Sequence, residues 1–191
     1  MAGNLGATAG HFLVHSSASP QPVLTVAAVF RDHAPFAWRA LRRLGVPEKD
    51  VDDVCQEVFV VIHRKLAEFE GRSTIRTWVY GICVRTASDY RKRAHVRHET
   101  VTDTPPENVS PNDAHEELVV HEARKVLDRI LDELDDDKRA VFVLYEIEEL
   151  TMAEVSEAVG CPLQTAYSRL HAARKLVAAG IERARDPRAS A

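Results

Sequence analysis

Apolar residues recur every three or four positions along most of this chain, and this spacing restricts its fold more than any other feature. One stripe consists of Val51, Val54, Cys55, Val58, Ile62, Leu66 and Phe69. A second consists of Ile75, Trp78, Val79, Ile82 and Thr86, and a third of Val126, Leu127, Ile130, Leu131 and Leu134. The alternating pattern of a half-buried strand is absent. Core packing explains all three stripes, so the sequence predicts an all-α fold but indicates no function.

The segment from Glu99 to His115 divides the helical patterns into two blocks. It contains three prolines, four acidic residues and no lysine or arginine, with only two isolated valines. Because it cannot build a core, it is predicted to be a flexible acidic linker. The predicted organisation is a disordered tail over 1–22, a helical domain over 23–98, the linker over 99–115, a second helical domain over 116–185, and a tail over 186–191.

Bulk composition excludes several classes of protein. The net charge is -4 for 191 residues, so any binding of nucleic acid must come from local basic patches. No stretch approaches the roughly 20 apolar residues that span a bilayer, which predicts a cytoplasmic chain without membrane insertion. Cys55, Cys83 and Cys161 lie far apart without a CxxC motif, which argues against a disulfide framework or a zinc finger and fits a reducing cytosol. No metal or other cofactor is expected.

The C-terminal block contains the pattern of a helix-turn-helix. Thr151 and Glu154 have the spacing of a capping box that opens a short helix. Gly160 suits the left-handed end of that helix, and Pro162 favours the start of the next one. The next helix places small and apolar residues on one face: Ala166, Leu170, Ala173 and Val177.

The opposite face of that helix is polar and resembles a recognition helix for the major groove. It carries Gln164, Ser168, His171 and Lys175, with Tyr167 on the flank and Arg169 and Arg174 toward the sides. Residues 161–188 hold six basic and two acidic residues, whereas residues 128–149 are strongly acidic. A generic helical hairpin remains the alternative, but this separation of charge favours a DNA-binding face.

The most basic stretch of the chain lies in the N-terminal block, between Arg72 and His98. It contains seven lysines or arginines and a single acid, Asp89, together with Trp78, Tyr80 and Tyr90. Cations follow phosphates and aromatic rings stack on unpaired bases, so the combination favours single-stranded or opening DNA. Trp78 lies on the apolar stripe and is assigned to the core. Tyr80 and Arg85 lie off the stripe and are the better contact candidates, although a solvated basic helix is the alternative.

The preceding helix has the opposite character. Asp53, Gln56, Glu57 and Val60 project away from its apolar stripe. Such a face could dock a basic partner helix, although charged helix faces are usually only solvated.

These pieces resemble the extracytoplasmic-function sigma factors of bacterial RNA polymerase. The run from Asp50 to Phe69 resembles region 2.2, which implies that Asp53, Gln56, Glu57 and Phe59 bind the polymerase.

The run from Thr77 to His95 resembles regions 2.3 and 2.4, which melt and read the -10 element. The candidate contacts there are Tyr80, Arg85, Asp89 and Arg93, and Arg85 stands where the family often has Asn. The run from Gly160 to Arg174 resembles region 4, which reads the -35 element, and the candidate contacts are Gln164, Tyr167, Ser168, Arg169, His171 and Lys175.

The resemblance implies a sigma-2-like helical bundle and a sigma-4-like helix-turn-helix, without catalytic residues. The implied partners are core RNA polymerase, through its β′ clamp helices and β flap, together with promoter DNA and an anti-sigma factor. Three alternatives remain open at this point. They are a stand-alone helix-turn-helix regulator, a metal-dependent phosphohydrolase that uses histidines such as His95 and His98, and a helical adaptor that binds no DNA.

Overall fold

The computed structural model describes residues 24–98 and 115–185, and these residues form seven α-helices and no strand. The helices are α1 (Val26–Arg43), α2 (Glu48–Lys65), α3 (Ile75–His98), α4 (His115–Asp132), α5 (Asp136–Phe142), α6 (Met152–Val159) and α7 (Leu163–Arg185). The all-α prediction is therefore confirmed. The predicted tails and the linker lie outside the described residues, apart from His115, which begins α4.

The N-terminal domain is a bundle in which α1, α2 and α3 pack against one another. Thr25 caps the start of α1, and Thr74 accepts a hydrogen bond from the Thr77 amide at the start of α3. The centre of the predicted stripe on α2 is buried in the core. Leu66 and Phe69, at the end of that stripe, are only half-buried because the chain leaves α2 through a short 3-10 turn, Leu66–Glu68.

The C-terminal domain contains α4 to α7, with a π-helical turn over Val143–Ile147 after α5. The capping box between Thr151 and Glu154 is present, and Gly160 ends α6 with a φ of 70°. That left-handed conformation is readily available to glycine and turns the chain into α7. The predicted inner face of α7 is buried, which fixes α7 against the rest of its domain: Ala166, Leu170, Ala173 and Val177.

The two domains are packed together, with α3 against α6. A Cβ atom at Gly81 of α3 would lie 3.1 Å from the carbonyl oxygen of Ala158 in α6, so the glycine permits the two helices to approach closely. Among the described residues, no helix is long and apolar enough to cross a membrane.

Replacing Thr151 by Ala should lower the free energy of unfolding by about 1 kcal/mol, since it removes the hydroxyl that caps α6. Urea unfolding followed by circular dichroism measures the loss. Thr151→Ser retains a hydroxyl at the same position and serves as the control. Equal stability of the Ala and Ser variants would contradict a stabilising cap.

Candidate polymerase-binding and nucleic-acid interfaces

The polar face of α2 is open to solvent. Asp53, Gln56 and Glu57 are exposed, and Val60 on the same helix is 48% exposed. Phe59 departs from the prediction: it is only 7% exposed, so it is a core residue and not part of the open surface.

Phe59 packs edge-on against Phe30 of α1, with the ring centroids 4.7 Å apart. Phe30 itself is 54% exposed, which makes it the largest apolar group beside the polar face of α2. Sequence reasoning missed Phe30 because it lies in the first turns of α1, far along the chain from the α2 pattern.

A small cavity of about 190 Å³ joins this face to α3. Arg93 donates to the Glu57 carboxylate at 2.9 Å, and the Tyr90 hydroxyl donates to Asp50 at 2.5 Å. Asp53 also lines the cavity. The structure thus brings Glu57, predicted to bind the polymerase, into contact with Arg93, predicted to bind DNA.

Tyr80 lies in a position that differs from the expectation for a DNA-contacting residue. Its side chain is fully buried, and its hydroxyl donates to the carboxylate of Glu148 in the C-terminal domain. Burial and this hydrogen bond raise the pKa of the Tyr80 phenol well above its ordinary value, so the hydroxyl remains a donor. Tyr80 lies off the predicted apolar stripe, but its ring packs against Phe36 of α1, with the centroids 4.7 Å apart, and its hydroxyl reaches the second domain.

Arg85 and Asp89 lie further along α3, where they line a cavity of about 290 Å³ between the domains. Asp136 and Asp137 of α5 form its opposite wall. Burial lowers the pKa of Arg85, which remains a cation at neutral pH. Trp78 is half-buried against Phe69, in keeping with its assignment to the core.

The outer face of α7 is open along its length. The exposed residues there are Gln164, Tyr167, Ser168, His171 and Lys175. The hydroxyl of Ser168 donates to the backbone oxygen of Thr165 at 2.9 Å, so its oxygen can still accept a hydrogen bond from a partner.

The arginines at the sides of α7 pair with acids of their own domain. Arg169 is hydrogen-bonded to Asp137, and Arg174 donates to Glu146 at 2.6 Å while its guanidinium lies over the Tyr145 ring. These pairs hold α7 against the acidic stretch that precedes it. Arg169, a candidate contact to the -35 element, is therefore paired with an intramolecular acid in this structure.

Side chains suited to metal binding do not cluster in the part of the chain that the structure describes. No group of three or more His, Cys, Asp or Glu residues there could hold a metal ion. His95 is exposed, and the side chain of His98 lies outside the described residues.

Comparison with known families gives two matches in the order of the two domains. The family model for Sigma-70 region 2 matches residues 29–97, and that for Sigma-70, region 4 matches residues 124–177. The first match contains α2 and α3, and the second contains the helix-turn-helix.

Individual proteins and solved structures agree with these matches. The chain is 32% identical over 142 residues to the ECF RNA polymerase sigma-E factor of Escherichia coli strain K12, which covers 69% of this chain and 74% of the relative. The corresponding factor of Haemophilus influenzae is 28% identical over 69% of this chain and 75% of its own.

Among solved structures, CnrH in complex with the cytosolic domain of CnrY is 25% identical, with a TM-score of 0.61 over 82% of this chain and 87% of the other. The sigma factor RpoE from Bartonella quintana, solved with the anti-sigma factor NepR, has the same fold, with a TM-score of 0.66 at 16% identity over 82% of this chain and 96% of the other. The chain therefore belongs to the ECF sigma factors of the sigma-70 family, non-enzymatic subunits that bind core RNA polymerase and direct promoter-specific initiation.

Proposed function

We propose that this sigma factor uses three separate surfaces for three tasks: α2 for the polymerase, α3 for the -10 element and α7 for the -35 element. The open polar face of α7, presented on a capped and well-packed helix-turn-helix, is the observation that carries the proposal. The proposed domain limits are 23–98 and 116–185, and the proposed location is the cytoplasm, where the polymerase works.

The α7 face supplies the groups needed to read duplex DNA. The Gln164 amide can bond an adenine bidentately in the major groove, and the Ser168 hydroxyl oxygen can accept a hydrogen bond from a base. Lys175 supplies a cation for a phosphate, which fixes the register of the helix without selecting a sequence. Tyr167 and His171 flank this row and complete the proposed -35 contact surface.

The -10 element is assigned to α3. Arg85, Asp89 and Arg93 lie along its accessible part, whereas Tyr80, the fourth proposed contact, is buried. Opening of the duplex costs a few kcal/mol, and the surface offsets this cost by stacking and by polar contacts to released bases. Arg85 replaces the residue common in the family and is proposed to alter the preferred -10 sequence.

The polymerase is proposed to bind the exposed α2 residues Asp53, Gln56 and Glu57, most simply through a basic helix such as those of its β′ clamp. Phe59 supports this surface from beneath, and Phe30 extends it with an apolar patch.

The β flap is proposed to hold the C-terminal domain. Two weak DNA-binding domains on one enzyme act together because binding of the first raises the effective concentration of the second.

An anti-sigma factor is proposed as a further partner. The support comes from two structural relatives, which were solved in complex with CnrY and with the anti-sigma factor NepR.

The double variant Gln56→Ala, Glu57→Ala should bind core polymerase about tenfold more weakly, because it removes polar and charged contacts from the proposed interface. Biolayer interferometry with immobilised core enzyme measures the affinity. Glu122→Ala removes an exposed acid from α4 and is the matched control. Undiminished binding of the double variant would remove α2 as the docking surface.

The variants Ser168→Ala and Lys175→Ala should each lower run-off transcription severalfold, since each removes a proposed contact to the -35 element. Ser168→Ala should also weaken the preference between -35 sequences, whereas Lys175→Ala should lower transcription from all of them alike. Arg185→Ala removes an exposed cation near the end of α7 and controls for the loss of charge. Unchanged transcription across -35 variants would refute the assignment of α7.

A further inference from the structure

Two charged side chains on the accessible part of α3 have no polar partner. Arg85 and Asp89 are both exposed, and within the described residues neither side chain takes part in a hydrogen bond or an ion pair. They stand four residues apart, a spacing at which a cation and a carboxylate on one helix often pair with each other. Here they do not, so a guanidinium and a carboxylate lie next to each other with their hydrogen-bonding groups open to a ligand.

The next cation along this face of α3 is in a different condition. Arg93 donates to Glu57 at 2.9 Å and to the backbone oxygen of Asp89 at 3.3 Å. Its guanidinium is therefore held towards α2. The groups on this face that remain open are Arg85 and the carboxylate of Asp89.

The acids that face Arg85 across the domain contact are also engaged. Asp136 pairs with Arg91 at 3.0 Å, and Asp137 is hydrogen-bonded to Arg169. Burial by neighbouring groups lowers the pKa of Arg85, so its guanidinium has lost part of its hydration without gaining an acceptor. Such a group is best satisfied by the acceptors of a ligand.

The guanidinium of Arg85 lies beside Gly81. A Cβ atom at Gly81 would be 3.4 Å from Nη2 of Arg85, so the arginine extends back along α3 towards the start of the helix. Asp89 follows Arg85 by about 6 Å along the helix axis. A flat ligand that lies along α3 can therefore contact the guanidinium with one edge and the carboxylate with the next.

The two groups are opposite in hydrogen-bonding capacity. The guanidinium is a planar fork of N–H donors without an acceptor, whereas an ionised carboxylate only accepts. A guanine released from its duplex offers the fork two adjacent acceptors, O6 and N7, and offers the carboxylate the donors N1–H and N2–H. Cytosine offers the fork two acceptors but the carboxylate a single amino group. Adenine and thymine have no pair of adjacent acceptors.

We propose that Arg85 and Asp89 form a reading site for one guanine of the -10 element, with the guanidinium on O6 and N7 and the carboxylate on N1 and N2. This inference rests on the proposed role of α3 in binding released bases. The site makes guanine the preferred base at one position of the element.

Lys92 provides a contact of a different kind. It lies two turns beyond Arg85 on the same side of α3, is exposed, and has no ion pair in the part of the chain that the structure describes. Its ammonium group can bind a phosphate beside the guanine, which strengthens binding without selecting a base.

Transcription from a promoter library tests the reading site. The full chain with core polymerase transcribes templates that have a randomised -10 region, and a transcribed barcode identifies the -10 sequence of each template. The wild type should enrich a G·C pair over an A·T pair about tenfold at one position, the discrimination of a good bidentate contact. Arg85→Asn should lose this enrichment and keep the preferences at the other positions.

Other variants separate base reading from charge. Arg85→Lys keeps the charge without the planar fork and should also lose the enrichment. Asp89→Ala should lower it severalfold, whereas Lys92→Ala should lower transcription and leave the enrichment unchanged. Arg39→Asn is the matched control, because Arg39 is an exposed cation of α1 without an ion pair among the described residues. Enrichment is a ratio between templates, so it does not depend on how much of a variant is folded.

A modified base tests the contact at the level of one atom. In the enriched template, 7-deazaguanine replaces the guanine of the preferred pair. N7 takes no part in base pairing, so the duplex opens as before. Transcription by the wild type should fall about tenfold, whereas transcription by Arg85→Asn should not change, because that variant no longer contacts N7.

The outcomes separate this inference from the proposed function. A wild-type chain that initiates from no promoter, or equally well from all -10 sequences, would contradict the role of α3 itself. A wild-type chain that selects -10 sequences, but has no G·C preference that Arg85→Asn removes, would overturn the guanine site alone. Indifference of the wild type to 7-deazaguanine would also overturn it.

Discussion

The carboxylate of Glu148 is the point on which the arrangement of the two domains depends. It is 7% exposed and accepts from Arg43 on one oxygen and from Tyr80 on the other. A carboxylate in such a place is tolerated only where donors surround it. These donors belong to the N-terminal domain. Because the Glu148 carboxylate must be hydrogen-bonded where it is buried, α1 and α3 meet the turn before α6 at this residue.

Around this point the contact is polar as much as apolar. Arg139 is 2% exposed, and its guanidinium donates to the backbone oxygen of Arg43 at 2.6 Å and to Asp132. A buried cation that satisfies a carbonyl of the other domain selects one orientation among many, because the hydrogen bond depends on direction as well as distance. The geometry therefore specifies how the domains meet, while contributing modestly to how tightly they hold.

The sequence was informative where a periodic pattern had a single explanation. The all-α class, the capping box at Thr151, the turn at Gly160 and the buried face of α7 are local properties, and each follows from residues within one or two helical turns. The same locality explains why the outer face of α7 could be recognised from the residue pattern alone. Its residues point away from a stripe that had to be buried.

What the sequence could not provide was the contact between elements far apart in the chain. Tyr80 lies off the apolar stripe of α3, and nothing within that helix indicates that Phe36 of α1 and Glu148 of the second domain enclose it. Phe59 fits the motif for a polymerase surface, yet Phe30 lies over it. The acidic character of residues 128–149 was visible, but its partner was not, because pairing between Glu148 and Arg43 spans 105 positions.

Glu154 divides its two oxygens between different tasks. One accepts from the backbone amide and hydroxyl of Thr151 and so closes the first turn of α6, while the other accepts from Thr77 of α3. When Thr77 departs, only the second oxygen is left for solvent, and the start of the helix-turn-helix keeps its bonds. The cap of α6 therefore does not depend on the hydrogen bond from Thr77, and the helix-turn-helix can keep its local structure without that contact to α3.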